Sequence, residues 1–191
     1  MKLSKRGEYA LRSLINLGIA AKVGRSLVRV AELAKAEELP VKFLEQVMQQ
    51  LREAGIVESE RGKYGGYRLA KPAGEIPIGQ IVRLIDGPLA PIGCVSQSDY
   101  EACNCPDQEH CGLRMLMLDV RNAIAAILDR YTLADVVEVT TRKLVTNGLP
   151  LPYSAAGATT ARRKSRYARN RLLSNSPTDG VIHQLLGDYA I

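Results

Sequence analysis

Tryptophan is absent from the 191 residues, and phenylalanine occurs once, at Phe43. A core must therefore be aliphatic. Long apolar runs are missing too. None approaches the roughly 20 residues a membrane-spanning helix needs. The charged start, Met1-Lys2-Leu3-Ser4-Lys5-Arg6, leads into no apolar stretch, so no secretory leader and no membrane contact are expected. Histidine is scarce, with only His110 and His183. No triad-like set accompanies them. Gly62-Lys63-Tyr64-Gly65-Gly66 sits inside a hairpin pattern, not between a strand and a helix, so it is no nucleotide loop. An enzyme is not expected. With 46% hydrophobic and 24% charged residues, wholesale disorder is excluded and a cytoplasmic globular protein is expected. The length allows one domain with an appendage, or two small ones.

Positive charge is uneven. From Val145 onward there are six basic residues, Arg162, Arg163, Lys164, Arg166, Arg169 and Arg171, against Asp179 and Asp188. Residues 1–144 hold 20 basic and 18 acidic residues. The body is nearly neutral and the tail is basic. An overall charge of +6 hints at an anionic partner, though the tail alone produces most of it.

Periodicity organises the first 87 residues. Ser4 caps a helix to Ala21, with Leu11, Leu14, Ile15 and Ile19 at helical spacing and Gly18 on the same face for close packing. Val30–Glu38 is a second, short helix. A tight Leu39-Pro40 connection leads to a third, ending near Ala54 before Gly55, with Phe43, Leu44, Val47, Met48 and Leu51 inward. Two short strands, 56–60 and 67–70, flank a Gly-rich turn. Three helices and a hairpin describe a winged helix-turn-helix. The fold class is mainly α with a small β-hairpin. Ile76–Asp86 reads as a further helix, stopped by Gly87-Pro88.

The third helix suits a DNA major groove. Lys42, Glu45, Gln46 and Gln49 are its exposed candidates, since Lys donates to guanine, Gln pairs with adenine and Glu accepts from cytosine. The hairpin tip adds Arg61, Lys63 and Tyr64, with Arg61 suited to a minor groove or a phosphate. The rival interpretation is an ordinary solvated face on a protein-interaction module.

Residues 88–111 form a loop that holds every cysteine: Cys94, Cys103, Cys105 and Cys111. Such thiols in the cytoplasm serve as ligands or redox groups more often than as structural disulfides. They suit an iron–sulfur cluster or zinc. The C-x8-C-x-C-x5-C spacing matches neither paired zinc knuckles nor ferredoxin spacing, so spacing alone does not choose the metal. A long helix, about Gly112–Tyr131, follows, with Leu113, Leu116, Val120, Ile124, Ile127 and Leu128 recurring every three or four residues. Thr132 and Asp135 open one more short helix. Residues 112–144 thus form a helical segment. Residues 145–191 read as a basic, disordered tail, with one or two amphipathic turns at Val181–Tyr189. Added phosphate contacts by Arg162–Arg171 are the alternative to mere solubilisation.

Across about residues 1–142 the sequence resembles IscR/NsrR/CymR-type (Rrf-two) regulators. The matching stretches are Met1–Arg12, Phe43-Leu-Glu-Gln-Val, Leu51–Val57, Arg61–Leu69 and Cys105–Arg114. The resemblance implies a homodimeric winged-helix transcription factor on double-stranded DNA, paired through the long helix. It assigns base reading to Lys42, Phe43, Glu45 and Gln46, and the wing contact to Arg61. It also implies an iron–sulfur cluster (2Fe–2S or 4Fe–4S) that senses iron–sulfur, redox or nitric oxide status. Cys105 and Cys111 match the family's last two cysteines. Cys94 resembles the first, displaced by an insertion, and Cys103 is additional. One branch has a ligating His where Arg114 stands, with His110 as a substitute candidate. In other branches an acidic residue of the partner chain completes the site, and Glu8 stands there. A charge favourable to the first helix's dipole is the alternative for Glu8. A zinc site or a thiol–disulfide switch is the alternative for the loop.

Overall fold

A computed structural model describes residues 2–154 except Lys63. The order is α1 (Lys5–Lys22), α2 (Val30–Glu37), α3 (Val41–Glu53), β1 (Val57–Glu60), β2 (Gly66–Leu69), α4 (Ile78–Asp86), α5 (Gly112–Arg130) and α6 (Leu133–Thr146). The winged helix-turn-helix read from the sequence is present. The wing is a two-stranded antiparallel hairpin with Val57 opposite Leu69 and Glu60 opposite Gly66.

Ser4 caps α1 as expected, accepting from the Gly7 amide at 3.0 Å. Its own amide and hydroxyl both donate to Asp86, fixing the start of α1 to the end of α4. Glu38 takes the left-handed conformation (φ 54°) that closes α2. Pro40 then occupies the N-cap of α3. This short turn lays α3 across α2. Val28 exchanges backbone hydrogen bonds with Tyr67 at 3.0 and 2.8 Å, which ties the α1–α2 connection to the wing.

Leu14, Leu33, Leu44, Met48, Leu51, Ile56, Ile76, Ile81 and Leu133 are fully buried and form one aliphatic core. Each contributes about 1.5–3 kcal/mol of burial. Gly18 sits where α1 and α6 press together. A Cβ there would lie 2.5 Å from a Val137 methyl. Ile78, Val82 and Leu89 form a second cluster under α5.

Three expectations are corrected. The stripe on α5 is two faces, not one. Ile124 and Leu128 pack on α4 against Ile78 and Val82, whereas Leu113, Leu116 and Ile127 are exposed. Both faces repeat at three and four residues, so the pattern merged them. The helix opened by Thr132 is not short. It runs 14 residues because Leu133, Val137 and Thr141 bury against the body. The first ten residues assigned to a disordered tail are ordered: α6 continues to Thr146, and the chain then returns to place Tyr153 against the core. The Arg162–Arg171 cluster and Val181–Tyr189 lie outside the described residues.

Candidate nucleic-acid interface and thiol loop

Helix α3 is sharply two-sided. Leu44, Val47, Met48 and Leu51 enter the core, while Lys42, Glu45, Gln46 and Gln49 are exposed. Gln49 donates to Glu53 at 2.9 Å. Phe43 is half-buried, its ring edge-on to Tyr9 at 5.5 Å, so most of its surface serves packing. Arg6 of α1 reaches α3 and donates to Gln50 at 2.9 Å.

At the wing, Arg61 is exposed and Tyr64 is 79% exposed. Gly62 has φ 108°, which a side chain would resist. Lys63 lies outside the described residues. Arg68 escaped the sequence reading. It binds Glu58 at 2.9 Å and Glu60 at 2.8 Å, and both raise its pKa above the ordinary guanidinium value. The signal was available, because Arg68 pairs with Glu58 across the hairpin and Glu60 lies on the same strand face. This clamp offsets the wing's acids beside Arg61.

A second network also escaped it. Asn16 of α1 donates to the Arg12 carbonyl at 3.0 Å and to Glu37 at 2.6 Å. Arg12 also binds Glu37. The Tyr153 hydroxyl donates to Asn16 Oδ1 at 2.9 Å, and the Arg25 guanidinium lies 5.5 Å from the Tyr153 ring centre. Burial lifts the Tyr153 phenol well above its ordinary pKa, and Glu37 and Glu32 reinforce the shift.

The thiol loop starts at a 3-10 turn, Gly93–Val95, which buries Cys94 to 6% exposure. The chain then returns on itself, with the Glu101 amide donating to the Gly93 carbonyl at 3.2 Å. Gly93 permits this approach, since a Cβ there would lie 2.6 Å from the Glu101 Cβ. The return sets Cys103 beside Cys94. The Cys103 thiol has Cys94 and Cys105 as hydrogen-bonding neighbours, and Cys105 has Cys111. Cys111 is the N-cap residue of α5. Arg114 approaches the Cys94 carbonyl at 3.4 Å, and Arg121 donates to that of Val95 at 2.6 Å.

Burial raises the Cys94 thiol pKa, with Cys103 adding to the effect. The Cys105 hydrogen bond holds Cys103 below the ordinary thiol range and pushes Cys105 itself up to about 11. Among the described residues no three ligating side chains form a ready metal cage. Cys94, Cys103, Cys105 and Cys111 lie within one loop and the start of α5. Four free, soft thiols in one loop still suit an iron–sulfur cluster or zinc by donor chemistry. His110 turns to Asp107, with Nδ1 2.8 Å from its carboxylate. Glu8, in its own chain, is held by Lys5 at 2.7 Å and Arg12 at 3.4 Å, and the Lys5 hydrogen bond leads in lowering its pKa.

A contact path joins the loop to α3. Cys111 opens α5. Helix α5 packs on α4 and is fastened by the two-pronged Arg83–Asp129 pair at 2.6 and 2.7 Å. Helix α4 holds α1 through Asp86 and Ser4, and α1 reaches α3 through Arg6. Among the described residues, no helix is long and apolar enough to cross a membrane.

Residues 3–139 match the family model Rrf2, described as an iron-dependent transcriptional regulator. An Rrf2-like HTH-type transcriptional regulator of Rhodobacter capsulatus is 35% identical over 137 residues, spanning 71% of this chain and 91% of the relative. The structure of CymR, the global cysteine regulator of B. subtilis, is similar with TM-score 0.61 and 32% identity, covering 72% of this chain and 97% of that one. T. potens IscR is similar with TM-score 0.56 and 28% identity, covering 72% and 87%.

Proposed function

This chain belongs to the Rrf2 family of transcriptional regulators, and we propose that it binds operator DNA as a homodimer and senses iron–sulfur, redox or nitric oxide status through a cluster held by the 94–111 loop. The observation that carries the sensing role is the loop of four free thiols that runs, through Cys111, into the helix packed against the DNA-reading domain. We assign cluster ligation to Cys94, Cys105 and Cys111, with Cys103 and the partner subunit's Glu8 as the two candidates for the fourth position. A bound cluster supplies a redox-active and nitric-oxide-reactive centre whose presence depends on iron and sulfide supply.

The chain's own residues do the rest. Lys42, Glu45, Gln46 and Gln49 offer donors and acceptors to base edges in a major groove, and Phe43 braces the start of that surface. Arg61, Lys63 and Tyr64 meet the flanking backbone or minor groove. Exposed Leu113, Leu116 and Ile127 on α5 pair two copies, so that two recognition helices face successive half-sites. The thiol loop caps α5, and α5 rests on α4. A change in the loop therefore biases the relative setting of the two reading heads, shifting the population competent for DNA.

A second reading, a zinc site or thiol–disulfide switch, is favoured by the contact of Cys103 with Cys94 and Cys105. Anaerobic purification with iron, acid-labile sulfide and zinc analysis separates the two. Broad visible absorption with iron and sulfide, lost together with the high-affinity DNA complex on air exposure, is expected. Colourless protein with one zinc per chain, or with an oxidisable thiol pair and no metal, overturns the cluster role and leaves DNA binding intact.

A further inference from the structure

We infer that the recess between α4, α5 and the thiol loop is a binding site for a small oxyanion, with Arg121 as its cationic anchor. The recess has a volume of about 130 Å³. Arg83 of α4, Arg121 and Asn122 of α5, and Gln97 and Ser98 of the loop line it, over an apolar floor that includes buried Leu89. No carboxylate is among its lining residues. Its volume is that of about four waters. It admits one planar or tetrahedral group of oxygens and excludes a nucleotide, since drug-sized ligands fill pockets of about 300 Å³ or more.

Two guanidinium groups reach the recess, and only one is matched by an acid. Asp129 takes both prongs of Arg83, at 2.6 and 2.7 Å. Arg121 donates to the Val95 carbonyl at 2.6 Å and to Asn122 Oδ1 at 2.6 and 3.1 Å. These acceptors are neutral, and among the described residues Arg121 forms no ion pair. A guanidinium carries five N–H donors, so those three bonds leave two for a ligand. The side chain is half-buried, which withdraws its charge from water without a counter-charge. An oxyanion in the recess supplies that counter-charge and accepts from the spare donors. The Val95 bond fixes the guanidinium beforehand, so binding has little left to order. At about 100° per residue, Arg121 and Ala125 lie on the side of α5 away from Leu116 and Ile127. Pairing of two copies through those leucine and isoleucine side chains leaves the recess open. A bound oxyanion bridges Gln97 and Ser98 to both α5 and α4, whatever the thiols hold.

The test titrates the full chain with sodium phosphate, sodium nitrate and sodium acetate in turn, at an ionic strength held constant with sodium chloride. Calorimetry and thermal unfolding read the binding. At least one of the three anions should bind saturably, once per chain, and raise Tm with the logarithm of its concentration. The anion that binds tightest tells a tetrahedral from a planar inorganic ligand or a carboxylate. Phosphate also stabilises proteins by exclusion from their surface, without any site, so variants are decisive. Asn122→Asp keeps an acceptor for Arg121 and adds the missing negative charge. It should fold as wild type and weaken the anion at least tenfold. Arg121→Met should abolish binding, and if loss of the Val95 bond unfolds that variant, Asn122→Asp decides alone. Equal affinity in wild type and Asn122→Asp overturns the proposal. So does a rise in Tm with no saturable heat, or no heat above the chloride baseline from any of the three anions.

Discussion

Replacing Tyr153 with Phe should destabilise the protein although the residue lies beyond the family match. The hydroxyl donates to Asn16 Oδ1 at 2.9 Å. Asn16 is only 7% exposed, and its amide nitrogen is already used on Arg12 and Glu37. Losing the donor removes a hydrogen bond worth about 0.5–1.5 kcal/mol and leaves a buried acceptor that costs about 1–3 kcal/mol unpaired. These figures overlap, and a net loss of about 1–2 kcal/mol follows. For a folded region of this size that lowers Tm by roughly 3–6 °C. Tyr153→Ala also removes the ring from Arg25 and from the core, and should cost about 2–4 kcal/mol. Urea melts of the full chain, followed by far-UV circular dichroism, give both numbers. The phenol's pKa is raised in the folded state, so its contribution is complete below about pH 10 and fades as pH rises above it. Wild type should therefore lose more stability than Tyr153→Phe between pH 10 and 11. If Tyr153→Phe melts with wild type within about 0.3 kcal/mol, the docking of this segment on α1 is refuted.

The other predictions concern DNA and pairing. Arg61→Ala should weaken operator binding about tenfold or more by fluorescence anisotropy, and an unchanged Kd removes the wing role. Glu45→Ala should relax base preference at one position in a selection experiment, by about 1–3 kcal/mol of lost discrimination; an identical selected motif contradicts base reading by this residue. Leu116→Asp should shift the chain from dimer to monomer in sedimentation, and persistent dimers place the interface elsewhere. Truncation after Ser154 keeps Tyr153 but removes the basic cluster. Each lost phosphate contact should flatten the salt slope of DNA binding by about 0.9, and an unchanged slope assigns the tail no DNA contact.

Local signals explain what the sequence revealed. Ser4, Gly55 and the inward set Leu44, Val47, Met48 and Leu51 act within a few residues, so α1 and α3 were legible as elements. Clustering of the four cysteines was equally plain. The path of the loop that carries them was not, because the Gly93–Glu101 return that turns the chain back toward Cys94 is encoded by no ligand spacing. Ile124 and Ile127 share one periodic pattern yet face different environments. Periodicity reports that a face is apolar, not what covers it. Tyr153 and Asn16 are 137 residues apart, and neither belongs to a repeating pattern that would announce their meeting.

Helix α5 packs one face, Ile124 and Leu128, on α4 but fully buries none of its nineteen residues. A lone copy therefore carries an amphipathic rod whose outer apolar side has no cover, which marks it for capture by quality-control machinery or cleavage by proteases. Pairing would hide that side. The cell's stock of working regulator would then grow faster than its stock of polypeptide when copies are few, and surplus single copies would be the first removed. Turnover would sharpen the threshold at which an operator becomes occupied, without any further binding site.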